Sequence, residues 1–122
     1  MPGVGNIRFT SMTAVITDEV RGAIFDATAY PYITAYAKGT GTTSSGKISF
    51  EEADYAQSEF PYTGTWSLLP STYDVAATGL SGGQQTAVRF PVGKYRYIRP
   101  FIETAIGGGG SVDVVFVGMG PS

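Results

Sequence analysis

Glycine and proline are spread along the whole chain instead of being pooled in a linker, and the runs between them are short and rich in Val, Ile, Thr, Tyr and Phe. Residues that accept positive φ or interrupt a ladder, spaced in this way around β-branched and aromatic segments, suit short strands and tight reversals and leave little room for an amphipathic helix. The pattern predicts an all-β chain, a single antiparallel β-sandwich with an extended N-terminal arm. Strands are expected over residues 7–17, 22–26, 30–38, 47–52, 63–69, 86–91, 95–104 and 112–117. Residues 39–46 and 79–84 lack apolar periodicity and read as surface loops. Residues 50–60 include good helix formers, but Pro61 and the alternation before it favour a strand that ends in a loop.

The clearest local signal lies near the C-terminus. A strand-like run from Tyr95 to Thr104 and a second from Val112 to Val117 are separated by Gly107 to Gly110, which is how a terminal β-hairpin is written. Alternation puts Tyr95, Tyr97, Arg99, Phe101 and Glu103 on one face and Arg96, Ile98, Pro100 and Ile102 on the other, and it sets Val112, Val114 and Phe116 opposite Asp113, Val115 and Val117. Neither strand is polar along a whole face. Strands of this kind cover a core on one side and a second subunit, a partner or a loop on the other. Pro100 lacks a backbone donor, so an edge position or a bulge is expected there.

A length of 122 residues fits one domain, and 43% hydrophobic residues suffice for one core. Residues 1–19 form an arm or first strand, and residues 20–122 form the sandwich. The net charge of -2, with no run of like charge, gives no basic footprint for nucleic acid. Cysteine and histidine are both absent. Thiolate nucleophiles, disulfides, the usual zinc sites and histidine bases are thereby removed, so a non-enzymatic protein without metal or cofactor is expected. No apolar stretch approaches the roughly 20 residues that span a bilayer, and the N-terminus lacks the basic and apolar regions of a leader. The expectation is a soluble protein, made and used in a cytoplasm, with no membrane partner.

Glu51, Glu52, Asp54 and Glu59 form the densest acidic group, but they match no calcium loop, and a solvated acidic loop is the ordinary reading. Tyr30, Tyr32, Tyr36, Tyr55, Tyr62 and Trp66 could stack on sugar rings, although Trp66 lies in an apolar run where a core role is the default. Arg96 and Arg99 sit in a Tyr/Arg-rich strand of the kind enriched at protein interfaces; alternatively, one of them stacks on Tyr97 or pairs with Glu103. Gly107 to Gly110 is a turn and not a phosphate loop, since no helix pattern follows it.

Five segments together resemble a known family: Gly22-Ala23-Ile24-Phe25-Asp26-Ala27-Thr28-Ala29-Tyr30; Ile33-Thr34-Ala35-Tyr36-Ala37-Lys38-Gly39-Thr40; Thr65-Trp66-Ser67-Leu68-Leu69; Gly93-Lys94-Tyr95-Arg96-Tyr97-Ile98-Arg99; and Val112-Asp113-Val114-Val115-Phe116-Val117-Gly118. Over roughly residues 20 to 118 the chain looks like the small β-sandwich decoration, or cement, proteins of tailed-phage heads. The resemblance implies a jelly-roll-like sandwich on the outer capsid surface of a virion, made in the host cytoplasm. Its implied partners are the major capsid protein and further copies of itself, with a trimer favoured. Ile7, Phe9, Met12 and Val15 on the arm, and Tyr95, Arg96, Tyr97 and Arg99 on the Tyr/Arg strand, are the expected capsid or subunit contacts. Strand addition by residues 7–16 would supply main-chain affinity. A carbohydrate-binding head fibre or spike module is the alternative.

Overall fold

The computed structural model describes residues 6–53 and 65–120. Its strands are β1 (Ile7–Val15), β2 (Phe25–Asp26), β3 (Tyr32–Thr40), β4 (Ser45–Ala53), β5 (Ser67–Leu68), β6 (Val75–Ala76), β7 (Gln85–Arg89), β8 (Tyr97–Gly107) and β9 (Ser111–Met119). Short 3-10 turns at Ser71–Tyr73 and Ala77–Leu80 flank β6. Two-residue alternation is clean where it matters most. Ile33, Ala35 and Ala37 of β3 and Val112, Val114 and Phe116 of β9 point inward, and the residues between them face out.

One sheet runs β1-β9-β3-β7 and the other β2-β8-β4-β5, with β6 also paired to β4. All of these pairs are antiparallel. Since β5 and β6 share one strand position beside β4, the first position pairs with the last, the second with the second-last, and so on inward. That is one long hairpin rolled into two sheets, the jelly-roll order, and it separates this chain from an immunoglobulin-like sandwich.

The terminal hairpin is not formed. β8 lies between β2 and β4, whereas β9 lies between β1 and β3 in the opposite sheet. Each strand carries one strongly apolar face, and an arch between sheets lets both faces line the same core, where a flat hairpin would leave one exposed. The glycine tract makes that arch possible. Gly108 has φ +99 and its position leaves only 2.8 Å between a side-chain β-carbon and the Ser44 nitrogen; at Gly110 the Thr40 carbonyl would be 2.4 Å away. The Gly110 N–H donates to the Thr42 carbonyl at 2.7 Å, tying the arch to the β3–β4 loop. That loop is less superficial than expected. Thr43 is fully buried, and its hydroxyl donates to the Ala77 carbonyl at 2.6 Å.

Pro100 sits in a central strand, paired with Phe50 of β4. Its carbonyl accepts from the Gly22 N–H at 2.9 Å, so its nitrogen also faces residues 20–22 and not β4. There the neighbouring backbone makes only a single bridge, Arg21 with Phe101, and the missing donor disrupts no regular ladder.

A row of rings runs through the core. Phe25 stacks on Phe116 at 5.2 Å, Phe50 meets Phe116 edge-on at 6.1 Å and Phe90 at 5.3 Å, and Phe90 continues to Tyr73 and Tyr95. Burial and a hydrogen bond with Tyr73 push the Tyr95 hydroxyl pKa up, with Glu52 adding to the effect.

Candidate interaction surfaces

The outer face of the β2-β8-β4-β5 sheet carries a closed polar network. On it, Lys47, Ser49 and Glu51 of β4 alternate outward beside Arg99, Phe101 and Glu103 of β8. The Glu51 carboxylate, whose side chain is 10% exposed, accepts from Arg99 Nε at 2.9 Å and from Arg21 Nε at 3.1 Å. Each guanidinium also lies over a ring, Arg99 at 3.8 Å from the Trp66 centroid and Arg21 at 4.3 Å from that of Phe101. A planar guanidinium donates from its edge while its face covers an aromatic ring, which suits Arg and not Lys here. Beside this cluster, Lys47 Nζ lies 3.2 Å from Glu103 Oε1 and 3.7 Å from Asp74 Oδ2, and the Ser49 hydroxyl donates to Glu103 Oε2. The Ser49 and Lys47 contacts hold the Glu103 carboxyl below its ordinary 4.5. Their contribution is therefore present at neutral pH and is given up as the pH falls through the carboxylate range.

Glu51→Ala would leave two arginines around an empty site. Because both guanidiniums keep some access to water, the expected loss is about 1–3 kcal/mol, less than for a fully buried pair. It should appear as a lower urea midpoint at unchanged slope. An unchanged midpoint would mean that the arginines are equally well solvated without their carboxylate.

The outer face of the β1-β9-β3-β7 sheet is different. Strand register arranges it in cross-strand rows: Met119 beside Tyr32; then Arg8, Val117, Thr34 and Arg89; then Thr10, Val115, Tyr36 and Ala87; then Asp113, Lys38 and Gln85. Tyr32 is 51% and Met119 46% exposed, with Val115, Val117, Tyr36 and Ala87 half-buried between the strands.

The expected contact residues are scattered across these environments. Met12 and Tyr95 are buried core side chains, and Phe9 and Val15 pack on that core. Ile7 is 38% exposed on edge strand β1, opposite Gly118 of β9. Residues 7–15 pair on one side with β9 within the chain, and β1 stands at the edge of its sheet. Tyr97 is buried and Arg99 belongs to the Glu51 cluster. Arg96 is exposed and lines, with Tyr95, Ala27, Thr28, Pro31 and Gly93, an open cleft of about 260 Å³, smaller than the roughly 300–1,000 Å³ of usual small-molecule sites.

Other expectations shift as well. Glu51 is a buried, doubly paired strand residue and not part of a solvated acidic loop, while Asp54, Glu59, Tyr55 and Tyr62 lie outside the described residues. Trp66 lies on the outer face under Arg99 instead of in the core. Among the described residues no group of three or more His, Cys, Asp or Glu could hold a metal ion, and no helix is long and apolar enough to cross a membrane. The exposed rows on the β9 side were foreshadowed by one signal, the apolar Val115 and Val117 on the face opposite Val112, Val114 and Phe116.

Fold and surfaces together define a small jelly-roll β-sandwich with one ion-paired face and one partly apolar face. Among solved structures it is similar to the crystal structure of SPBc2 prophage-derived protein YomS, with a TM-score of 0.54 and 16% sequence identity, covering 92% of this chain and 90% of that one. At that identity the likeness is one of fold. No protein-family model matches the chain, and no curated protein matches it in sequence.

Proposed function

We propose that this chain is a non-enzymatic structural protein of a phage particle that binds the outer capsid surface and clamps neighbouring capsomers. The observation that carries this reading is the jelly-roll likeness to a prophage-derived protein along about nine-tenths of both chains. The resemblance to head decoration proteins points the same way, and the lack of His and Cys in the sequence removes imidazole bases and thiolate nucleophiles. A protein that binds only the assembled shell raises the free energy needed to open it, and many copies multiply the effect. Trimeric association belongs to the same reading and is measured by analytical ultracentrifugation of the purified chain.

The decisive experiment is the copy number of the chain in purified particles, by quantitative mass spectrometry against the major capsid protein. A ratio near that of the capsid protein is expected. A handful of copies per particle would move the chain to a vertex, spike or tail, and complete absence would reject a virion role. Of the rings that the sugar-binding alternative would use, Trp66 is covered by Arg99 and Tyr30 lies 6.0 Å from Phe25 against the core, while Tyr32 stands 51% exposed.

A further inference from the structure

The chain has eight lysines and arginines. Arg21 and Arg99 are held by Glu51, Lys47 by Glu103 and Asp74, Lys94 lies 5.7 Å from the Tyr95 ring centroid, and Arg96 also has a partner. Arg8, Lys38 and Arg89 remain, exposed and without an ion pair among the described residues. Strand register places all three on the outer face of the β1-β9-β3-β7 sheet. The only carboxylate in the cross-strand rows of that face, Asp113, accepts the Ala14 N–H at 2.6 Å. A chain of net charge -2 therefore presents here a face with three cations against one carboxylate, Asp113, and with Val115, Val117 and Tyr36 at its centre.

We infer that this face docks on a protein surface of complementary form, an apolar patch rimmed by carboxylates and repeated across the shell. The inference rests on the capsid-binding reading above and names the face and the chemistry of its partner. Charge decides against a second copy as the occupant, because stacking two such faces would set Arg8, Lys38 and Arg89 against their own counterparts. Nucleic acid is disfavoured by composition, since the middle of the face offers valines and not a stacking groove flanked by further cations. Area points to repetition. Four strands about 4.8 Å apart, used over about 20 Å of their length, give roughly 400 Å², half of the roughly 800 Å² that each partner buries in a stable pair. One copy holds weakly, and lasting attachment needs linked copies engaging several sites at once.

The test uses particles purified without this chain and the full-length protein added back. Wild type, R8E/R89E and K94E are compared, the last a charge reversal away from the face. R8E/R89E should bind about tenfold more weakly at moderate ionic strength, K94E should stay within about twofold of wild type, and wild-type binding should fall as salt rises. Hydroxyl-radical footprinting of the bound wild-type chain should show Tyr36 and Met119 protected, a readout that needs no variant to fold. Equal binding by R8E/R89E, or unprotected Tyr36 and Met119 on decorated particles, overturns this face while leaving capsid attachment intact. A wild-type chain that does not bind at all overturns the capsid reading and this partner with it.

Discussion

Phe116→Ala is expected to remove about 3–5 kcal/mol of stability, a large share of the 5–15 kcal/mol that holds a typical domain together. Phe116 is completely buried at the centre of β9, with Phe25 stacked on one side at 5.2 Å and Phe50 edge-on at 6.1 Å. Those two rings belong to the opposite sheet, so truncation opens a void between the layers at the place where they are pinned together. Backbone pairing to β1 and β3 prevents β9 from sinking into that void. Differential scanning calorimetry should record a drop of many degrees in the melting temperature, or no cooperative transition at all. A loss below about 1 kcal/mol would mean that the ring row closes up around the gap.

Deletion of residues 1–17 should unfold the sandwich. An arm lent to a neighbour could be cut away without harm, but β1 is internal to this chain's own structure. Its register with β9 runs from Ile7 opposite Gly118 to Val15 opposite Val112. Met12 is 3% exposed among the core residues, and the Phe9 ring lies 5.7 Å from Phe25. Removing the strand strips the apolar inner surface at one edge and leaves β9 without one of its two neighbours. The truncated chain should lose its near-ultraviolet circular dichroism. Met12→Ala, expected to cost about 2–5 kcal/mol, separates lost packing from lost backbone pairing. A truncated protein that melts like the full chain would restore the idea of a detachable arm.

Alternation made β3 and β9 legible, since a two-residue period of Ile33, Ala35 and Ala37, or of Val112, Val114 and Phe116, allows one side only to face the core. What alternation cannot encode is which strands become neighbours. Gly107 to Gly110 announces a reversal of direction, but a hairpin and an arch need the same permissive residues, and the choice is made by the β3–β4 loop packed against the arch. β6 passed unnoticed because two residues, Val75 and Ala76, show no period. The Glu51 cluster was hidden for a similar reason. Its arginines are 30 and 48 positions away in sequence, so a carboxylate in an acidic stretch gave no local sign of two distant cations. Trp66 was misjudged through its company: within the apolar run, Leu69 turns inward at 5% exposure while Leu68 stands 56% exposed.

Pairing of β1 with β9 also has a consequence for how the chain is made. During synthesis β1 finds its neighbour only when β9 has followed it, and β2 must wait in the same way for β8. Neither sheet can be completed until β8, for one, and β9, for the other, have been made, and until then the emerging strands carry unsatisfied edges. Topologies built on such distant pairings fold slowly, on the order of milliseconds to seconds, because loop closure comes before any reward in contacts. Closure of the sandwich waits on β8 and β9, and the interval before they pair is when these strands are most exposed to aggregation.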